Sequence, residues 1–184
     1  MNAHFNPFER IKRWHPSLIL LHWLSVGSLL AAFALVLLRE DLEDRGLRAS
    51  MLDWHRDLGA LIWALALCRL VMRLQVESPD HDLSPALHLF ARLGHLGLYA
   101  GILAVPTLGL LMAGAHTGHV ALFGLQWPSP LGHDRDLADT LQDAHEWAAW
   151  TLAGLIGLHA AAALWHHHVR KDGVLLAMLP VVRR

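Results

Sequence analysis

Four long apolar runs constrain this sequence more than any other feature. They cover residues 16–38, 58–76, 93–115 and 147–169. A membrane-spanning helix needs about 20 predominantly apolar residues, and the first, third and fourth runs reach that length without a Lys, Arg, Asp or Glu. The second contains Arg69 and Arg73, so it can span only if these side chains reach the interface or serve a site. The chain is therefore predicted to be an integral membrane protein.

Composition supports this interpretation and shows an unusually high histidine content. Hydrophobic residues make up 54% of the chain and charged residues 17%, against roughly 25% charged residues in soluble proteins. The net charge of −1 gives no basic excess for binding nucleic acid. One cysteine, Cys68, excludes an internal disulfide and a cysteine-based metal centre. The 15 histidines equal the lysines and arginines combined, which calls for an explanation.

Local signals place the helix ends. Pro16 suits a first helical turn, and Ser84 with Pro85 reads as a cap followed by a first turn. Two S/T-x-x-D patterns, Ser50 with Asp53 and Thr140 with Asp143, read as further starts. We predict an all-α, four-helix membrane bundle in a single domain over residues 1–184, without strands, with a kink at Pro106 and a last helix that Gly173 could end. The predicted helices are at about 16–38, 51–75, 85–113 and 140–170.

Basic residues set the predicted orientation. Lysine and arginine prefer the cytoplasmic side of a membrane. The side that we predict to be cytoplasmic carries basic residues at both ends of the chain and around the connection between the second and third helices: Arg10, Lys12, Arg13, Arg73, Arg92, Arg170, Lys171, Arg183 and Arg184. On the other side, acidic residues outnumber basic ones. Both termini are therefore predicted to be cytoplasmic.

Four histidines fall inside the predicted helices in matched depth pairs. His22 and His159 lie in the cytoplasmic half, whereas His55 and His145 lie toward the opposite face. On the fourth helix, 14 residues separate the two histidines. That spacing returns to within about 40° of the same face after a rise of about 21 Å.

The fourth helix therefore carries one imidazole near each side of the membrane, and each has a partner histidine on another helix. Two stacked haems with paired axial histidines require this arrangement. Such a haem has no open coordination position, which suits electron transfer. A single membrane histidine is more often a hydrogen-bonding partner between helices, but four in matched pairs favour haem. Zinc is disfavoured because the runs contain no HExxH motif. Small residues would admit the macrocycle: Gly27, Gly59, Gly154, Gly157 and 160–163.

Two further histidines are candidates for cofactor contact. His166 follows His159 by seven residues, about 20° away on the same face, so we expect it at the cytoplasmic edge of the inner haem. It could serve a quinone pocket or a haem propionate. His95, on the third helix, could hydrogen-bond a propionate or a neighbouring helix. His167 and His168 point elsewhere and are predicted to be solvated.

Several segments resemble a known family. They are "LLHWL" at 20–24, "WHRDLGALIWALALCRLVMRL" at 54–74, "LGHLGLYAGILAVPTLGLLMAG" at 93–114 and "GLHAAAALWHHHVRKD" at 157–172. The chain resembles the bacterial di-haem cytochrome b561 family, and within it the small four-helix members described as superoxide oxidases. The likeness covers nearly the whole chain and is strongest in the last segment.

The resemblance implies two haems b in the bacterial inner membrane. By this resemblance, His22 and His159 are the axial iron ligands of the inner haem, and His55 and His145 are those of the outer haem. The resemblance also implies an activity, in which superoxide is oxidised to dioxygen at the periplasmic side and the electrons pass to ubiquinone near the cytoplasm. His166 matches a histidine at the family's quinone site, although Arg170 stands where an aromatic residue is expected.

The charge near the outer haem determines whether the superoxide anion would be attracted there. Arg56 directly follows His55, and a positive group there would attract an anion. The same side of the chain also carries many acidic residues, so the sign of the local field stays open at this point.

Two other functions fit the same residues. The first is a membrane-anchor cytochrome b that moves electrons between the quinone pool and a redox partner protein. The second is a haem-free transporter that uses the histidines as a metal or proton path. An absorption spectrum with a Soret band and sharp reduced α bands separates the transporter from both cytochromes.

Overall fold

Four long helices form the structure, a computed structural model that describes residues 13–76 and 84–180. They are α1 (Pro16–Leu38), α2 (Arg45–Gln75), α3 (Pro85–Thr117) and α4 (Arg135–Trp165). The predicted helical membrane fold is confirmed. By length and composition α1, α3 and α4 can each cross a membrane, and α2, with its charges, does not meet that criterion among the described residues.

The starts of α1 and α3 are where the proline signals predicted them. Pro16 and Pro85 each occupy the first helical turn, where a missing N–H costs nothing. His15 caps α1, because its Nδ1 accepts a hydrogen bond from the backbone N–H of Ser17 at 3.4 Å. The third helix continues through Pro106 and ends later than predicted, at the left-handed Gly118. The kink at Pro106 stays a prediction.

The starts predicted for α2 and α4 are wrong. Each helix begins earlier, because Asp44 and Asp134 accept backbone N–H groups of the first turn at 3.0 Å. Ser50 and Thr140, expected to be caps, lie inside the helices and donate their hydroxyls to carbonyls four residues earlier. Aspartate is as good a cap as serine or threonine, and the helices extend through charged turns that lie beyond the apolar runs.

A β-hairpin follows α3, and the prediction that no strand is present is wrong on this point. Strands β1 (His119–Leu122) and β2 (Leu125–Pro128) pair antiparallel. Phe123 and Gly124 form the turn, with φ of 51° and 76°, as a two-residue turn with both central residues left-handed requires. A lone Phe-Gly pair is a weak turn signal, so the sequence did not reveal it.

The hairpin is fastened to α2. The backbone N–H of Phe123 donates to the Asp57 carboxylate at 2.8 Å, and Val120 is buried. Asp57 is two residues from His55, so the hairpin lies at the same end of the bundle as His55.

The helices pack in two close pairs, α1 with α2 and α3 with α4, which are joined through α2 and α3. Glycines on α3 allow the second pair to approach: a Cβ added at Gly101 would lie 2.9 Å from Leu152 Cδ1. By contrast, the described backbones of α1 and α4 hardly approach each other. The buried core lies at mid-height and consists of Ala32, Ile62, Ala66, Ile102 and Leu152.

The C-terminal segment bridges α4 to α1. After α4 the chain makes a π-helical turn, His166–Arg170, so the helical run ends at 170 as predicted. Beyond it the Trp23 indole N–H donates to the Met178 carbonyl at 2.8 Å. Ala177 is fully buried, and its carbonyl accepts from the backbone N–H of Trp14. Four basic residues used to predict orientation lie outside the described residues: Arg10, Lys12, Arg183 and Arg184.

Loss of the hairpin anchor is testable with Asp57→Ala. The Phe123 N–H then loses its acceptor, at a cost of about 0.5–1.5 kcal/mol. We expect faster chymotryptic cleavage after Phe123 and faster amide exchange over residues 119–128, with the helix content unchanged. Asp143→Ala, at an exposed position of α4, is the matched control. Equal cleavage of the two variants would contradict the anchoring role.

Candidate functional site

Four histidines form two facing pairs of rings. The ring centres of His22 and His159 lie 6.4 Å apart, with planes at 69°. Those of His55 and His145 lie 6.2 Å apart, with planes at 85°. Two imidazoles that bind one metal ion from opposite sides, each nitrogen about 2 Å from it, have ring centres roughly 6 Å apart. Both pairs therefore have the separation that a shared metal ion requires.

The two pairs occupy different levels of the bundle. His145 and His159 both belong to α4, and the 14 residues between them correspond to a rise of about 21 Å. Leu152 lies midway and is only 1% exposed, and it belongs to the apolar core. The structure thus contains two separate sites with a hydrophobic layer between them.

Backbone carbonyls hold both rings of the outer pair. The Nδ1–H of His55 donates to the Ala32 carbonyl of α1, and that of His145 donates to the Val105 carbonyl of α3, each at 2.9 Å. A carbonyl oxygen can only accept, so Nδ1 of each ring must carry the hydrogen. In a neutral imidazole Nε2 then has the lone pair, which is the arrangement of a metal-binding histidine.

A glycine makes room for the His145 ring. A Cβ added at Gly109 would lie 3.0 Å from His145 Cε1 and 3.1 Å from Nδ1. Gly109 is one helical turn from Val105, so the ring rests on this turn of α3 while it donates to the Val105 carbonyl. This role could not be predicted from the sequence, because no local pattern distinguishes Gly109 from the other glycines.

The inner pair belongs to a larger cluster. The His95 ring centre lies 5.6 Å from that of His159, so the structure brings this candidate to the inner site. Nδ1 of His22 is buried and has no hydrogen-bond partner among the described residues. An unsatisfied buried nitrogen destabilises a fold, which fits a site completed by a bound group.

Arg69 adds a positive charge to this cluster. Its guanidinium lies 5.6 Å from the ring centre of Tyr99 and is close enough to His22, His95 and His159 to interact with each electrostatically. Within the described ranges no carboxylate forms an ion pair with Arg69. A cation in a membrane helix is costly without a counter-charge. The inner site is therefore suited to a ligand that carries acidic groups.

Two arginines flank the outer pair. Arg56 donates to the Asp53 carboxylate at 2.9 Å, so part of its charge is neutralised. Nε of Arg56 and Nε of Arg39 are both buried and lack a partner in the described part of the chain, and both side chains interact electrostatically with His55. Arg56 could be predicted from its place next to His55, but Arg39, which lies 16 residues from His55 along the chain, could not.

His166 lies apart from the inner pair. No ring contact or hydrogen bond joins it to His22 or His159 among the described residues. Its Nδ1 instead hydrogen-bonds the Asp172 carboxylate, and the Trp165 ring lies beside it. Asp172 ends the quoted "GLHAAAALWHHHVRKD" segment, but no local sequence pattern predicts its contact with His166.

The four histidines of the two pairs do not form a polydentate metal cluster. No group of three His, Cys, Asp or Glu side chains that could hold a metal ion occurs in the described ranges. A membrane helix bundle with one imidazole pair near each end is the architecture of a b-type cytochrome.

Comparison with known proteins agrees with this class. A family model described as prokaryotic cytochrome b561 matches residues 13–181. The probable superoxide oxidase CybB of Yersinia pestis is 33% identical over 89% of this chain and 93% of its own length. Two proteins of Escherichia coli K12, cytochrome b561 homolog 1 and homolog 2, are 27% and 32% identical over 92% and 86% of the chain, covering 98% and 86% of their own lengths. The chain belongs to the prokaryotic cytochrome b561 family, which implies haem b in a bacterial membrane protein.

The role of Gly109 can be tested with Gly109→Val. The branched side chain would overlap the His145 ring, and overpacking of this kind costs about 1–3 kcal/mol. We expect the variant to bind less haem per chain, measured as the pyridine haemochrome, and to unfold at a lower temperature. Gly94→Val on the same helix is the control, because a Cβ there meets no atom within 4 Å. Equal haem contents would contradict this account of the outer pair.

Proposed function

We propose that the protein is a di-haem membrane cytochrome that oxidises superoxide to dioxygen and passes the electrons to ubiquinone. One observation carries the proposal: two imidazole pairs, each with ring centres about 6 Å apart, lie at different levels of one bundle. The relative from Yersinia pestis that is named a probable superoxide oxidase supports this choice of substrate.

The histidine pairs would bind the haem irons. His22 and His159 would bind the inner iron, and His55 and His145 the outer iron. Haem b held by these residues would supply one-electron chemistry. Arg69 and His95 would hold the acidic side chains of the inner haem. An added Cβ would meet no atom within 4 Å at Gly27, Gly154 or Gly157, which is consistent with space for a macrocycle.

Orientation follows from the charges. Arg13, Arg170 and Lys171 lie at the end of the bundle where the chain enters α1 and leaves α4. By the preference of basic residues for the cytoplasm, both termini would be cytoplasmic in a bacterial inner membrane. The outer pair and the hairpin would then face the periplasm.

The two ends of the bundle suit different reactants. At the outer end, Arg39 and Arg56 would attract the superoxide anion toward His55. Two superoxide ions leave as two dioxygen molecules and give up two electrons. At the cytoplasmic end, ubiquinone takes up those two electrons and two protons to become ubiquinol. His166 would deliver protons there, because an imidazole can both accept and donate a proton.

The ligand assignment predicts paired losses. His22→Ala or His159→Ala should remove one haem, and His55→Ala or His145→Ala the other, because each iron would lose an axial nitrogen. Pyridine haemochrome per chain and the low-spin absorption spectrum are the measurements. His168→Ala, at an exposed position, is the control. A ligand variant that keeps two low-spin haems would remove that residue from the assignment.

The superoxide reaction predicts a dependence on charge and salt. Superoxide added to the oxidised protein should reduce the haems, and ubiquinone should re-oxidise them. Reduction should slow as ionic strength rises, since charges in solution are screened beyond about 10 Å at 0.1 M salt. Arg56→Glu and Arg39→Glu should slow it further without loss of haem, whereas Arg92→Glu on the opposite side should not.

Two results of the superoxide experiment would contradict parts of this proposal. If dithionite reduces both haems and superoxide reduces neither, the superoxide activity is refuted and a membrane-anchor cytochrome becomes the better hypothesis. A rate indifferent to salt and to both substitutions would refute electrostatic guidance alone.

A further inference from the structure

We propose that Asp172 is a positioning residue for His166 and that the two side chains form a proton-delivery pair for ubiquinone. The proposal rests on the proposed reduction of ubiquinone at the cytoplasmic end of the bundle. Its evidence is the contact of the two side chains and the chain reversal that brings them together.

An unusual backbone path brings Asp172 back to His166. The turn His166–Arg170 is π-helical, and it closes with the Lys171 N–H donating to the His166 carbonyl at 2.7 Å. Lys171 is left-handed, with φ of 54°, a conformation that costs an L-residue with a side chain about 1–2 kcal/mol. The reversal places the next residue, Asp172, against the imidazole six residues earlier. Single π-turns and strained residues are frequent at functional sites.

The contacts of Asp172 keep it ionised. Its Oδ2 accepts from His166 Nδ1 and forms an ion pair with Arg170 Nε at 3.2 Å, and its Oδ1 accepts from the Val174 N–H at 3.3 Å. Partial burial raises the pKa of Asp172, but the hydrogen bonds from His166 and Val174 and the positive charges of His166 and Arg170 lower it more, so the pKa lies below its usual value. At neutral pH the carboxylate can therefore only accept hydrogen bonds.

An ionised Asp172 decides which nitrogen of His166 can react. Nδ1 must donate its hydrogen to the carboxylate, so Nε2 is the atom that can give a proton to a substrate. The side chains of His166 and Asp172 are only 13% and 21% exposed, and poor solvation strengthens their interaction. The carboxylate then orients the ring and stabilises the imidazolium that forms when Nε2 takes a proton from cytoplasmic water.

The proton transfer balances with the electron supply. Each ubiquinone accepts two electrons, which come from two superoxide ions, and two protons. Each proton breaks its bond to His166 Nε2 and bonds to a quinone oxygen, and water on the cytoplasmic side replaces it. Asp172 stays ionised throughout, so it acts only through His166.

The same hydrogen bond could serve only to stabilise the end of α4, so the test must separate this structural role from proton delivery. Holoprotein in detergent is reduced with superoxide and re-oxidised with ubiquinone, for Asp172→Asn, His166→Ala and the double variant. We expect Asp172→Asn to keep both haems and to be reduced normally. Its maximal re-oxidation rate should fall at least about tenfold, in line with lost acid–base assistance, at nearly unchanged KM for ubiquinone. Asp139→Asn, at an exposed position at the other end of α4, should behave like the unsubstituted protein.

Non-additivity is the decisive result. Residues that act as a unit lose little more when both are removed, so the double variant should re-oxidise no more slowly than His166→Ala. Additive losses, a change in KM alone or a normal rate for Asp172→Asn would overturn the pair. Should Asp172→Asn fail to bind haem, Asp172→Glu replaces it. The longer carboxylate displaces the ring, so an intermediate maximal rate is expected, and a normal rate overturns the proposal.

The same experiment separates this inference from the proposed function. If His166→Ala slows re-oxidation and Asp172→Asn does not, only the pair is wrong. If His166→Ala itself re-oxidises at the normal rate, protons reach ubiquinone elsewhere, and His95 or His15 becomes the next candidate. If superoxide does not reduce the unsubstituted protein, the proposed function fails first.

Discussion

The energetic demand of placing imidazoles in apolar helices underlies the rest of this structure. Each buried ring nitrogen must find a partner inside the protein, because lipid supplies none. At the outer pair, the carbonyls of Ala32 and Val105 meet that demand, and they also choose the tautomer. The helix pairing that brings α1 against α2 and α3 against α4 thus also fixes the orientation of the His55 and His145 rings. Fold and site share one set of contacts.

The inner end solves the problem differently. There His22 keeps a buried nitrogen without a partner among the described residues, and Arg69 brings a charge without a described carboxylate. A bound group with acidic side chains would supply the counter-charge for Arg69. The apolar layer around Leu152 separates this end from the outer one, so each end can be tuned by its own charges. Arg39 and Arg56 lie at the end with His55, and the His166–Asp172 contact lies at the opposite end.

Much of the fold could be predicted from periodicity and length. The helices could be predicted from the apolar runs, and the start of α1 from Pro16. Both signals are local in the sequence. The starts of α2 and α4 were missed because Asp44 and Asp134 cap charged turns beyond the apolar runs. The hairpin was missed because Asp57, 66 residues from Phe123 in sequence, holds its turn in place. Local patterns carry no information about such a contact.

The sequence by itself determined that the chain is helical, suited to a membrane and equipped with histidines at two depths. These properties depend on hydropathy and on helical repeat, both of which are local. Only the tertiary structure decided which atoms meet. It chose Nδ1 as the donor at His55 and His145, set Gly109 under the His145 ring, placed Arg39 beside His55 and returned Asp172 to His166. Each of these depends on how helices and turns pack across long sequence separations, where burial and geometry, rather than residue type, select the partner.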